Sequence, residues 1–269
     1  MTSLDRDFAG SIPTIYDRYL GPLIFEPYAV DLARRVADLA PLSVLETAAG
    51  TGIVTSELAK RLAPGVTIIA TDLNPAMLEI AARKMKVPNV TWRQADATAL
   101  PFEDASFDVV ACQFGVMFFP DKHTAYREVH RVLRPGGRFI FNVWDRLELN
   151  QMTETVSDAA ASYFPDNPPQ FFRRTPHGYN DVAAIREALG QAGFGNAGVE
   201  HVAKRSHANS HRDPAVGLCQ GSPMRSEIEA RDPTKLEAVT EVAAEALARR
   251  FGRGPIEGGI QAIVFDATR

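Results

Sequence analysis

The sequence predicts a doubly wound α/β fold, with a mostly parallel sheet of seven strands and helices on both faces. Three observations predict it. Apolar, β-rich runs alternate with helical patterns from residue 43 onward, the mark of βαβ units. The first run ends in small residues and the next two end in acids, the composition of βα turns at a sheet's carboxyl edge. The 269 residues are 45% hydrophobic and 23% charged, a globular balance in a chain long enough to bury a core without disulfides or metal.

Ser43–Ala48 reads as a buried strand that leads into the loop Ala49-Gly50-Thr51-Gly52. A helix follows from Ile53 to Leu62, stopped by Pro64-Gly65. The second strand, Val66–Thr71, ends in Asp72, and Asn74-Pro75 gives its helix an N-cap and a proline in the first turn. Val90–Ala95 and Phe107–Cys112 are the third and fourth strands. The helix after the fourth carries Tyr126, Val129 and Leu133 at helical spacing. Arg134-Pro135-Gly136-Gly137 reads as its stop, ahead of a fifth strand from Arg138 to Trp144.

Beyond Trp144 the rhythm breaks. Residues 145–178, rich in Pro and Phe, read as an inserted loop or short-helix segment. A helix resumes near Asp181 and ends at Gly193, and Val199–Ser206 is a sixth strand. After a second insertion, a helix from Thr234 to Phe251 shows one apolar face, and Ile260–Phe265 closes as the last strand. The expectation is one domain over 1–269. It comprises a helical cap (1–40), a cofactor-binding core (41–145) and two insertions (146–178 and 208–257) that form a substrate cover.

Composition excludes several functions. Lys+Arg 29 against Asp+Glu 33 gives a net charge of −4, without the basic stripe a nucleic-acid binder needs. Cys112 and Cys219 stand too far apart for a metal knuckle and suit a reducing compartment. No cluster of ligand spacing suggests a metal. Met1–Asp7 is not followed by the apolar run of a secretory signal. The longest charge-free apolar run, Val109–Pro120, falls short of the ~20 residues that span a bilayer. The expected partner is a small-molecule substrate in the cytoplasm, and a homodimer is admitted.

The chemistry concentrates in Glu46-Thr47-Ala48-Ala49-Gly50-Thr51-Gly52. Missing Cβ atoms let backbone approach a ligand closely, and Asp72, twenty-two positions after Gly50, can accept from ribose hydroxyls. Two features argue against a dinucleotide. Thr55 stands where its fingerprint has a third small residue, and a Glu46 carboxylate would repel a pyrophosphate while attracting an ammonium or sulfonium. A positively charged nucleoside fits better than NAD.

With these residues quoted, the chain resembles a class I S-adenosylmethionine-dependent methyltransferase, most similar to the ubiquinone/menaquinone C-methyltransferase group. The matching motifs run in order: Glu46-x-Ala48-x-Gly50-x-Gly52, Thr71–Leu78, Ala95-Asp96-Ala97-x-x-Leu100-Pro101-Phe102, Phe107–Val110 and Glu128-Val129-x-Arg131–Gly137. They cover residues 40–145. The resemblance implies a Rossmann-like sheet whose last strand is antiparallel. It also implies S-adenosyl-L-methionine as cofactor, with Glu46, Ala48, Gly50 and Gly52 around the methionine moiety. Asp72 would hold the ribose and Leu73 and Met77 the adenine. Asp96 and Ala97 would take the adenine edge, Gln113 the reacting end, and Tyr16 would touch the cofactor from the N-terminal helix. Ala48 departs from the family's usual glycine, a change that is mild at negative φ.

Direct displacement from a sulfonium rests on positioning, so no base is obligatory. Of the six histidines, His123 and His177 are the candidates for one. Phe171 and Phe172 are candidate acceptor-lining residues for an apolar or aromatic molecule, methylated on O, C or N, and Arg173-Arg174 could meet an anionic group. Two readings compete: an NAD(P)-dependent oxidoreductase on a similar sheet, and a non-catalytic protein that binds the same cofactor.

Overall fold

The computed structural model describes residues 10–195 and 197–269. Met1–Asp7, where the absence of a secretory signal was expected, lies outside them. In chain order the elements are α1 (Ile12–Ile15), a π-helix (Tyr16–Phe25), α2 (Glu26–Ala37), β1 (Ser43–Glu46), α3 (Ile53–Arg61), β2 (Thr67–Asp72) and α4 (Pro75–Lys84). β3 (Val90–Gln94), β4 (Phe107–Gln113), α5 (Lys122–Val132), β5 (Leu133–Trp144), α6 (Gln151–Tyr163) and α7 (Phe171–Arg174) follow. The chain ends with α8 (Val182–Gln191), β6 (Gly198–Ala208), α9 (Arg212–Gln220), α10 (Met224–Arg231), α11 (Leu236–Phe251) and β7 (Ile256–Thr268).

The seven strands form one sheet in the order β3-β2-β1-β4-β5-β7-β6. β1 pairs in parallel with β2 and β4, and β2–β3 and β4–β5 are parallel too. β7 is antiparallel: the Arg269 N–H donates to Gly137 O at 2.9 Å while the Asp145 N–H donates to Gln261 O at 3.1 Å, so numbers rise on one strand as they fall on the other. The chain winds outward in both directions from β1 and β4. Right-handed crossovers therefore put α3 and α4 on one face and α5 on the other. The switch between β1 and β4 opens the crevice where ligands bind in such sheets, at the strands' carboxyl ends.

By contact, the chain forms two compact units. The first holds residues 28–143, 180–202 and 262–269. Its core is aromatic, with Phe141 stacked on Phe139 at 4.6 Å and on Phe265 at 4.9 Å. The second holds 10–27, 144–179 and 203–261 of the described residues. There α6, α9 and α11 pack against one another, burying Val156, Leu218, Val239 and Leu247.

Several expectations are corrected. The N-terminal helix, expected over Ile12–Pro27, is not a plain α-helix: Pro22 lacks the N–H of the α ladder, and the Glu26 N–H donates to Gly21 O, five residues back. The first strand ends at Glu46, because the chain already turns left-handed at Ala48. Leu133 opens β5 rather than closing the preceding helix. Arg134–Gly137 lies inside β5 as an irregularity, for β4 advances from Phe107 to Val109 while β5 advances from Leu133 to Arg138. Residues 145–178 contain α6, thirteen residues with a buried face that includes Met152, Val156 and Ala160, so this segment is core-forming. His130 is half-buried with its ring edge-on to Phe194 at 5.2 Å.

Candidate active site

The loop after β1 carries three left-handed residues in alternation: Ala48 (φ +53°), Gly50 (+57°) and Gly52 (+80°). The negative φ at which an alanine would be mild is not the one Ala48 adopts. Its flanking amides are pinned, Thr47 N–H to Ala111 O at 3.0 Å and Ala49 N–H to Thr71 O at 2.9 Å, and the turn between them must be left-handed. For an alanine that costs about 1–2 kcal/mol, the kind of strain that collects at functional sites. The two glycines differ. A Cβ at Gly50 would meet nothing within 4 Å, whereas one at Gly52 would strike Trp92 at 2.8 Å and Ala81 at 3.1 Å. The loop thus lies on the Trp92 ring and is open at Gly50.

Beneath it, Glu46 is buried at 1% exposure. The Thr55 hydroxyl donates to its Oε2 at 2.6 Å, which gives the residue that breaks the dinucleotide fingerprint a role of its own. Burial pushes the Glu46 carboxyl up to about 8 against the pull of Thr55, and the Asp72 carboxylate raises it further. A carboxyl held this way is short of a cation.

Asp72 ends β2 across the loop. Its Oδ2 accepts from the Gly50 N–H and its Oδ1 from the Asn74 N–H, both at 2.8 Å. Burial still holds it above the ordinary aspartate range. Asn74 caps α4 as expected, accepting from the Ala76 N–H. Leu73 stands 51% exposed beside Asp72, while Met77 is buried at 4%. Asp96 is drawn into its own turn, its Oδ1 taken by the Thr98 N–H and hydroxyl, and Ala97 is half-buried next to it. That turn is held from α5. Arg131 donates to Leu100 O at 2.9 Å and Phe102 O at 2.7 Å, and Glu128 accepts the Leu100 N–H at 2.8 Å. The Glu128–Arg131 part of the last motif is thereby explained as the brace of the Asp96 loop. Gln113, half-buried, ends β4 opposite Asn142 of β5. His123 is exposed on the first turn of α5.

The remaining sequence-derived candidates belong to the other unit. Tyr16 stacks on Phe25 at 4.8 Å. Phe171 and Phe172 are both buried, with ring centroids 5.1 Å apart. His177 is buried too, its Nδ1 2.7 Å from Asp145 O. A carbonyl can only accept, so Nδ1 carries the proton and Nε2 the lone pair. Burial pulls this imidazole down to about 4. Arg173 pairs with Glu148 and Asp158, and Arg174 with the buried Glu227 at 2.5 Å, so the two guanidinium groups serve the fold.

Sequence reasoning missed Trp92, Asn142 and the Thr55–Glu46 bond. Their signal is mutual: each matters through a partner that only the fold brings to it.

The family model described as "Methyltransferase domain" matches residues 45–141. A demethylmenaquinone methyltransferase of Lactococcus lactis is 31% identical over 209 residues, 70% of this chain and 81% of the relative. The chain belongs to the class I S-adenosylmethionine-dependent methyltransferases. It falls within their ubiquinone/menaquinone C-methyltransferase-like group, and S-adenosyl-L-methionine is the cofactor of this methyltransferase. A ubiquinone/menaquinone biosynthesis C-methyltransferase of Pectobacterium carotovorum is 36% identical over 120 residues, 43% of this chain and 47% of that relative. The match therefore spans about half that enzyme's length. In fold, the methyltransferase is similar to phosphoethanolamine N-methyltransferase 2 of Haemonchus contortus, solved with phosphomonomethylethanolamine and S-adenosylhomocysteine (TM-score 0.60, 17% identity, all of this chain and 61% of the other). Among the described residues no helix is long and apolar enough to cross a membrane, and no group of His, Cys, Asp and Glu could hold a metal ion.

The loop fits the cofactor on its own geometry. Gly50 leaves open space and, among the described residues, the Thr51 hydroxyl is buried without a hydrogen-bond partner and the buried Glu46 carboxyl has a hydroxyl and a second carboxylate beside it rather than a cation.

Proposed function

We propose that the enzyme methylates a small, apolar aromatic molecule, and that a ring carbon of a quinol is the acceptor atom. The observation that carries this reading is the 31% identity to a demethylmenaquinone methyltransferase over 81% of that protein. The phenylalanine pair in the second unit, Phe171 and Phe172, supports an apolar acceptor side, for which we assign the segments 146–178 and 208–257 with the N-terminal cap of 1–40.

When bound, the cofactor supplies a methyl group on a sulfonium, with a neutral thioether as leaving group. Glu46 and the Ala48–Gly52 loop are assigned to its methionine moiety, Asp72 to the ribose, Leu73 and Met77 to the adenine faces, and Asp96 with Ala97 to the adenine edge. Gln113 is assigned to the reacting end, and Tyr16 to a contact from the N-terminal helix. With the cofactor bound, the acceptor carbon would take the methyl as the carbon–sulfur bond broke, and the ring would then lose one proton. Alignment of the partners is worth on the order of 7–11 kcal/mol, whereas a general base adds about 10²–10⁴-fold, so these residues act chiefly by positioning. His177 is the first candidate for the departing proton. Burial holds it neutral at pH 7, and an imidazole pulled down to about 4 is a weak base. His123 is the second candidate.

The test uses methyl-labelled cofactor and three acceptors: a short-chain naphthoquinol unsubstituted at one ring carbon, a catechol and an aromatic amine. Label is expected as a carbon-bound methyl on the quinol. Label confined to the catechol oxygen or the amine nitrogen would overturn the carbon assignment. No transfer to any of the three would overturn the acceptor class.

A further inference from the structure

The loops after β1 and β4 meet at one point. Gly115 follows β4, and a Cβ built on it would lie 2.4 Å from the Ala48 Cβ and 2.7 Å from the Cys112 Sγ. Real Cβ atoms do not approach that closely, so the Ala48 methyl occupies the space that glycine leaves empty at 115. Both sides of the contact are held in place. Ala48 is left-handed between pinned amides, and Phe114, immediately before Gly115, is left-handed as well (φ +51°). The Phe114 N–H donates to Asn142 Oδ1 at 3.0 Å and approaches Asn142 O at 3.2 Å. Asn142 is 1% exposed. The Phe114 ring stands edge-on to Tyr28 at 5.4 Å, and the Tyr28 hydroxyl donates to Val202 O at 2.9 Å. Position 115 cannot retreat from a larger neighbour, and position 48 cannot relax without moving Gly50 and Gly52.

The geometry points to Gly115 as a positioning residue for the cofactor: it touches no ligand itself and sets the course of the glycine loop through the Ala48 methyl. This rests on the reading that the Ala48–Gly52 loop holds S-adenosylmethionine. The steric coupling runs both ways. A side chain at 115 pushes the loop toward the cofactor's space, and removing the methyl at 48 makes room again.

The test is a double-mutant cycle in a Cys112→Ala background, which removes the thiol contact and leaves Ala48 as the sole clash. S-adenosylhomocysteine affinity is measured by calorimetry, alongside ligand-free thermal melting. Gly115→Ala is expected to weaken binding at least tenfold. Ala48→Gly supplies the other edge of the cycle, and whatever change it makes to affinity by itself is taken as measured. The double variant is expected to bind within threefold of Ala48→Gly. Melting that falls with unchanged affinity would mark a merely structural contact and overturn the proposal, as would a double variant that binds as weakly as Gly115→Ala. If Gly115→Ala does not fold, the double variant decides: recovery of folding and affinity together supports the interlock, and failure of either overturns it. A wild-type chain that binds no S-adenosylhomocysteine would instead remove the reading of the loop beneath it.

Discussion

The two ends of the sheet treat their carboxylates in opposite ways. At the amino end Asp108 accepts from the Leu42 N–H, the Ser43 N–H and the Ser43 hydroxyl at 2.9, 2.9 and 3.0 Å, and Arg134 pairs with its other oxygen at 2.5 Å. These partners outweigh its desolvation and hold it below the ordinary aspartate range. At the carboxyl end Glu46 has one hydroxyl for a partner and a second carboxylate nearby, and it sits near 8. A satisfied carboxylate ties elements together. One buried short of partners weakens the free protein and stores that cost for a ligand able to offset it.

The sharpest way to break the comparison is pH. Glu46 has a folded value of about 8 against 4.5 unfolded. Below pH 4.5 both states are protonated and the group has no effect. Between 4.5 and 8 the unfolded chain ionises first, so stability falls as pH rises, and above 8 the loss is complete. At 1.36 kcal/mol per unit, that is on the order of 3–5 kcal/mol. Glu46→Gln keeps an acceptor for Thr55 and removes the titration. Chemical denaturation of the ligand-free protein is expected to show the variant gaining on the wild type from pH 5 to 8.5. Parallel pH profiles would mean that Glu46 is ionised and satisfied like Asp108.

Asp72 comes next. Its two oxygens orient the Gly50 and Asn74 amides and are assigned to the ribose hydroxyls. Hydrogen bonds to a charged group contribute about 1.5–3 kcal/mol each. Asp72→Ala is therefore expected to weaken S-adenosylhomocysteine binding by roughly 10²–10⁴-fold, read by calorimetry. An affinity within threefold of wild type would detach the acid after β2 from the nucleoside.

What the sequence revealed and what it hid divide along the same line. The strands of the core, the Asn74 cap and the acids at the ends of β2 and β3 were legible because each is written in a short contiguous segment: an apolar run, an Asn-Pro, an Asp at a strand end. The φ of Ala48 was not legible because it depends on Thr71, Ala111 and Gly115, none of them near it in the chain. Nor was the raised titration of Glu46, whose carboxyl answers to Thr55 and Asp72. The segment 145–178 was misread for another reason. Its prolines and phenylalanines cluster in 164–176, yet the proline-free stretch of α6 before them folds as an ordinary helix. Local propensity finds elements, whereas strain and titration are set by tertiary neighbours.

The smallest effect belongs to the satisfied end. Asp108→Asn keeps an oxygen for the Leu42 and Ser43 amides but loses the charge that pairs with Arg134, a guanidinium 45% exposed. Partly exposed pairs are weak, so the expected loss is about 1 kcal/mol of stability, with S-adenosylhomocysteine affinity within twofold of wild type. The linkage has the opposite sign to that of Glu46. The Asp108 charge stabilises above the ordinary aspartate value, and its contribution disappears as pH falls through the lowered folded value. Wild type and variant should therefore converge in acid, where Glu46 and its glutamine variant also converge, and differ by a near-constant amount at neutral pH. A tenfold loss of cofactor affinity in Asp108→Asn would mean that the two ends of the sheet are mechanically joined through β4, and that the division of labour between them does not hold.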